Sequence, residues 1–228
     1  YVRAYATNSA GTAYGSQVSF ATTNSIVYGS VSDVDGNTYS TVTIGTQVWM
    51  AENLKTTKYN DNSVIPLVTN DAAWSDLYSK NTGYCWYNND AATYKGTYGA
   101  LYNWYTVDTG KLCPIGWHVP SDTEWTTLAN YLGQSVAGSK LKEAGTSHWA
   151  SPNSGATNET GFTGLPGGMR TDGGTFAEIG IQGYFWTSNG DTGYGVVTAW
   201  AWILGSGSGA GHTNNRKVYG WSVRCLKN

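Results

Sequence analysis

The chain has 228 residues and a net charge of −2, and only 12% of it is Asp, Glu, Lys or Arg, about half the share of an ordinary soluble domain. That balance leaves no basic footprint for nucleic acid, and no apolar run approaches the roughly 20 residues of a membrane span. In place of charge stand 30 Gly, 11 Trp, 17 Tyr and many Ser, Thr and Asn, a surface suited to an extracellular β-rich protein that binds glycans or other surfaces. No signal peptide is visible and Tyr1 is not a natural start, so an upstream part of the chain is expected. Cys85, Cys113 and Cys225 leave one odd thiol if a disulfide forms, the alternative being three buried, reduced cysteines. Cys85, between Tyr84 and Trp86, is expected to pack as a small apolar residue.

In chain order, residues 2–7 alternate as a strand, residues 8–12 turn, and residues 17–21 form a second strand. The pair resembles the final hairpin of a fibronectin type III domain, with Tyr1-Val2-Arg3-Ala4 before the turn and Val18-Ser19-Phe20 after it. An isolated hairpin is marginal in water, so either preceding strands complete the sheet, the favoured reading, or another chain does. Residues 22–25 read as a linker, which divides the chain into 1–25 and 26–228. Residues 31–39 and 41–49 read as two alternating strands, with Asp35-Gly36-Asn37 inside the first and Gly45 inside the second. Asp33, Asp35 and Asn37 resemble the start of a calcium loop, but the glycine comes one place early and no bidentate Glu follows. An Asp-Gly turn is the expected reading; a calcium site is the alternative. Residues 50–54 continue inward.

Residues 55–97 are polar and aromatic, with Trp74, Tyr78, Tyr84, Trp86 and Tyr87 and a short helix expected near Asp71. Residues 98–107 read as a helix carrying Leu101, Tyr102, Trp104 and Tyr105, stopped by Asp108-Thr109-Gly110. The best-specified local structure follows. Ser121 and Glu124 have the spacing of a capping box, Val119 and Trp125 stand where a hydrophobic staple would be, and Trp125, Leu128, Ala129 and Leu132 recur at helical spacing up to Gly133. A further short helix is expected over residues 135–144, with Leu141 inward. Residues 161–170 are a glycine-punctuated turn without the Lys-Ser/Thr pair of a phosphate loop. Residues 183–188, 199–204 and 221–225 read as the closing strands.

The run Pro120-Ser121-Asp122-Thr123-Glu124-Trp125 resembles the P-S/T-x-x-E-W helix start of formylglycine-generating enzymes and other C-type lectin-like proteins. Closer is the Fibrobacter succinogenes major paralogous domain, a bacterial surface module. The resemblance runs through Asp33-Val34-Asp35-Gly36-Asn37-Thr38-Tyr39, Ile44-Gly45-Thr46-Gln47-Val48-Trp49-Met50-Ala51-Glu52-Asn53-Leu54, Tyr98-Gly99-Ala100-Leu101-Tyr102-Asn103-Trp104, the run around Cys113, and Gly220-Trp221-Ser222-Val223-Arg224-Cys225, over residues 30 to 228. It implies an α+β, C-type lectin-like fold of short twisted antiparallel sheets, two or three short helices and long loops. It also implies a disulfide between Cys113 and Cys225.

The chemistry argues against an enzyme. Formylglycine-generating enzymes use a cysteine pair just before the C-terminal strand, and here residues 205–216 hold no cysteine. His118, His148 and His212 have no local metal-ligand spacing, Glu124 has a capping role, and there is no G-x-S-x-G elbow. Calcium-dependent lectins of this fold use Glu-Pro-Asn or Gln-Pro-Asp with Trp-Asn-Asp. Leu165-Pro166-Gly167 and Trp200-Ala201-Trp202 supply none of those carboxylates, so no metal or other cofactor is expected. Residues 189–217 are mostly Gly, Ser, Thr, Ala and Asn with interspersed rings, a composition suited to recognition. The superfamily also includes bacterial and phage proteins with diversified C-terminal receptor-binding regions. Asp191, Tyr194, Trp202, Ser206, Ser208, His212, Asn214 and Asn215 are therefore the candidate ligand-binding residues. Trp200 is expected in the core, and Trp202, on the same strand face, is either core or binding. The expectation is a cell-surface adhesion module for a glycan or protein receptor. The alternative is a structural block that self-associates through its N-terminal strands.

Overall fold

The computed structural model describes residues 3–17, 26–191 and 197–228. In chain order come β1 (Tyr5–Asn8), β2 (Gly11–Tyr14), β3 (Tyr28–Ser32), β4 (Thr38–Ile44), β5 (Gln47–Met50), α1 (Asp71–Ser75), β6 (Tyr84–Cys85), α2 (Ala91–Tyr98), β7 (Leu101–Tyr102), α3 (Trp104–Val107), β8 (Trp117–His118), α4 (Asp122–Leu132), α5 (Ala137–Leu141), β9 (Gly167–Arg170), β10 (Phe176–Ile179), β11 (Gly183–Gly190), β12 (Thr198–Leu204), β13 (Ala210–Arg216) and β14 (Leu226–Lys227). The class is α+β. One five-stranded sheet has the order β3-β4-β5-β14-β8 and the other β10-β9-β11-β12-β13.

The N-terminal hairpin is tighter than its sequence suggests. β1 pairs with β2 in register Tyr5↔Tyr14, Gln17 lies beyond β2, and residues 18–25 fall outside the described ones. Every residue from 3 to 17 is exposed.

Glycines at positive φ cut the next stretch into three strands rather than two. Gly36 (φ +80) and Gly45 (φ +61) turn the chain, so β3, β4 and β5 form a meander. The Asp33 carboxylate accepts from the N–H groups of Asp35 and Asn37, the Asn37 amide and the Tyr39 hydroxyl. Asp35 accepts from the Thr57 N–H and hydroxyl and the Thr56 hydroxyl, and pairs with Lys58 at 3.2 Å. Protein donors thus surround both carboxylates, in the geometry of an Asp-Gly turn.

The helix expected over residues 98–107 is not one helix. α2 ends at Gly99 (φ +73), β7 pairs with β6, and Asn103 restarts a single turn, α3, by accepting from the Thr106 N–H. Helix α4 does match its signals: Ser121 and Glu124 close the capping box, and Trp125, Leu128, Ala129 and Leu132 are its buried residues. Helix α5 covers only the middle of residues 135–144, because Lys142 leaves it to bridge Gly164.

Two aromatic cores lie on opposite faces of the second sheet. Along β11, Tyr184 and Trp186 enter one core with Trp74, Tyr102 and Trp221. Phe185, between them, enters the other with Trp49, Trp125, Phe162 and Trp202, as the two-residue period of a strand requires. Between the cores runs the segment 220–225. Instead of the closing strand its sequence suggests, this segment shares out its pairing: Trp221 bridges Tyr102, Ser222 bridges Phe185 and Gly220 bridges Arg170, and the ladder pairs there are those of β14. Cys225 in this buried segment is bonded to Cys113, with Cα atoms 5.9 Å apart.

Candidate functional site

The face where the candidate residues converge is set by the register of β12 and β13. Trp200 lies opposite Asn214 and Trp202 opposite His212, so these four share one face. Ala199, Ala201, Thr213 and Asn215 occupy the other. Trp202 is buried at 5% exposure and stacks on Trp125 of α4, with ring centroids 5.8 Å apart and planes 11° apart. Its indole N–H donates to Asp122 Oδ1 at 2.7 Å. Asp122 opens α4, and its own N–H donates to Asn189 Oδ1 at 2.7 Å.

Above this anchored layer lies an accessible one. The exposed His212 ring stacks on half-buried Trp200 at 5.2 Å and 21°, with Nδ1 3.4 Å from Asp122 Oδ1. Asn214, also exposed, donates from its amide to Asp191 Oδ2 at 2.7 Å, and the Thr198 hydroxyl donates to the same oxygen at 3.1 Å. Ring surface therefore lies beside amide and carboxylate groups already fixed in position. Such an arrangement can hold a ligand with an apolar face and a polar rim.

The face unites Asp191, Trp202, His212 and Asn214 and leaves out other candidates. Asn215 points to the opposite side, where its side chain accepts the Arg216 N–H. Ser206 and Ser208 sit in the β12–β13 turn, beyond Ala210, which is itself about 14 Å along the strand from Asn214. There the Ser208 hydroxyl donates to Ser135 O, and Lys142 Nζ donates to Gly205 O and Gly207 O. A Cβ on Gly138 would run into the Gly209 carbonyl, so that turn is clamped onto α5. Ser206 lines a separate hollow of about 160 Å³ with Trp149, Asn153 and Ile181. Tyr194 lies outside the described residues.

Three further residues take part that the candidate set does not contain: Trp200, Asp122 and Asn189. Trp200, expected in the core, is half-buried, whereas Trp202 packs on Trp125 of α4. Its position two residues before Trp202 was the available signal. Asp122 and Asn189 meet only through tertiary structure, and nothing local marks them.

Groups that could carry other chemistry are occupied elsewhere. His118 lies 3.0 Å from Glu124 Oε1 and 2.7 Å from Asn228 Oδ1, and His148 lies 2.8 Å from Glu143 Oε1. Burial pushes the Glu124 carboxyl up, but the Ser121 N–H and hydroxyl and the His118 ring hold it below its ordinary value. Burial pushes the Cys85 thiol up to about 12 despite the nearby Arg170, which disfavours the reactive thiolate. Among the described residues, no group of three or more His, Cys, Asp or Glu could hold a metal, and no helix is long and apolar enough to cross a membrane.

The profile of the Fibrobacter succinogenes major domain matches residues 42–227. No curated protein and no solved structure matches the chain. The match runs from β4 to β14 and takes in α4, both disulfide cysteines and the β12–β13 face. The chain belongs to the Fibrobacter succinogenes major domain family, a bacterial domain family.

Proposed function

We propose that this chain is a non-enzymatic, extracellular adhesion module that binds glycan on the β12–β13 face without calcium, on a C-type lectin-like fold. The observation that carries the reading is the Trp200–His212 stack flanked by Asn214, Asp191 and Asp122. A sugar ring has apolar C–H faces that rest on aromatic rings and hydroxyls that pair with fixed amides and carboxylates. The buried Trp125–Trp202 pair beneath keeps that surface rigid, which lowers the ordering cost of binding.

The test is a glycan array probed with the intact chain, with and without EDTA, beside Trp200→Ala and His212→Ala. Binding insensitive to EDTA is expected. Trp200→Ala is expected to weaken it by about 2 kcal/mol, roughly 30-fold in Kd, as removal of a central aromatic contact does. Binding that survives in both variants, or that needs calcium, would sink the reading.

One observation favours a structural role instead. The β1–β2 ribbon has both edges unpaired among the described residues and exposes Tyr5 and Tyr14, 6.2 Å apart. A neighbouring chain, or preceding fibronectin-type strands, could complete that sheet. Concentration-dependent assembly that disappears in Tyr5→Ser/Tyr14→Ser would support this second reading.

A further inference from the structure

A cleft of about 420 Å³, lined by Lys80, Thr82, Tyr105, Asp108, Thr109 and Lys217, opens on the side of the molecule where α3 meets the end of β13. Its volume is within the usual range for small-ligand sites. Lys217 is the informative residue. It is only 9% exposed, and its ammonium lies over the Trp104 ring, 4.3 Å from the centroid. Among the described residues no hydrogen bond or ion pair holds that ammonium.

The other buried cations spend their donors on protein acceptors. Lys142 donates to Gly205 O and Gly207 O. Arg170 donates to Gly174 O, Val68 O, Thr69 O and Asp71. Arg224 donates to Asn53, Met50 O, Phe162 O and Thr163 O. The Lys217 stem is the buried part, while its ammonium, seated on the ring face of Trp104, is the end that lines the cleft. Lys217 is held by its stem and backbone, and its donors face the cleft. The backbone holds it firmly: its N–H donates to Val197 O, and its carbonyl accepts the Trp104 N–H.

We propose that this cleft is a binding site for an acidic sugar, a uronic-acid type residue whose carboxylate pairs with Lys217. Lys80, exposed at the rim, adds a second positive charge. The hydroxyls of Thr82, Thr109 and Tyr105 and the Asp108 carboxylate supply the mixed donors and acceptors that sugar hydroxyls need. A bare anion would use the lysines and leave the rest idle. The site shares no residue with the Trp200 face and stands or falls independently of it.

The test is titration of the intact chain with sodium glucuronate, glucose or sodium sulfate at matched ionic strength, following the Trp104 indole N–H by NMR. Glucuronate is expected to shift that signal saturably, with affinity falling as salt rises. Glucose is expected to have no effect, and sulfate to bind at least tenfold more weakly. Lys217→Met, which keeps an unbranched apolar stem over Trp104, should abolish the glucuronate shift. Should that variant fail to fold, Lys80→Met at the exposed rim is expected to weaken glucuronate binding about three- to tenfold. No shift with glucuronate, an equal effect of sulfate or glucose, a shift that persists in folded Lys217→Met, or undiminished binding in Lys80→Met would overturn the proposal.

Discussion

Arg224→Ala is expected to destabilise the chain by about 3–5 kcal/mol, the range for removing one side of a buried charged network. Arg224 is completely buried in the segment between the two cores. It donates from Nε to Asn53 Oδ1 at 2.9 Å, from one terminal nitrogen to Phe162 O and from the other to Thr163 O at 2.7 Å. Its guanidinium also lies 4.2 Å from the Phe162 ring centroid and 5.5 Å from that of Phe185. Among the described residues no carboxylate forms an ion pair with it, so hydrogen bonds and ring faces compensate the buried charge. Truncation leaves the acceptors on Asn53, Phe162 and Thr163 without a donor, each at a cost of about 1–3 kcal/mol if water cannot reach it. A cavity adds to that cost. Arg224→Lys keeps the charge but cannot span three diverging acceptors, so an intermediate loss is expected. Urea denaturation read by tryptophan fluorescence measures both. A loss below about 1 kcal/mol for Arg224→Ala would show that the network is not what holds the segment in place.

Removal of the disulfide is expected to cost a similar amount by a different route. Cys113 and Cys225 are 112 residues apart, and opening a loop of that length costs about 4–5 kcal/mol in the chain-entropy model. For a domain of this size, that is a fall in Tm of roughly 10–20 °C. The bond ties the loop before β8 to the buried segment, whose neighbouring carbonyls accept the N–H groups of Met50 and Leu54. Cys113→Ser/Cys225→Ser, or wild type in dithiothreitol, should therefore lose β5 and β14 pairing first, seen as faster amide exchange at Met50 and Leu226. Unchanged melting under reducing conditions would contradict this.

What the sequence makes legible follows the range of the interactions. Helix α4 can be read from a handful of residues because its cap, first turn and apolar stripe are all local. The Asp33 turn is legible for the same reason. The Cys113–Cys225 pairing rests on resemblance alone, since three cysteines leave the choice of partner open. Residues 98–107 mislead because Leu101, Tyr102, Trp104 and Tyr105 are buried whichever backbone they adopt, and only Gly99 and Asn103 mark the break. At the site, composition finds the stretch and period two finds the face. Neither shows that Ser206 and Ser208 are clamped on α5, nor that Asp122 and Asn189 complete the arrangement from other elements.

The most direct measurement of glycan binding on β12–β13 is a nitrogen-15 correlation spectrum of the indole N–H groups of the chain's 11 tryptophans. It would be titrated with the strongest glycan from the array, in EDTA. Trp200 should shift most and Trp202 next, because its N–H is held by the Asp122 carboxylate beside His212. Trp49, Trp74 and Trp221, fully buried away from that face, should stay where they are. Saturable shifts confined to Trp200 and Trp202 would establish the β12–β13 face as the glycan site. Shifts centred on other tryptophans, with Trp200 silent, would contradict it.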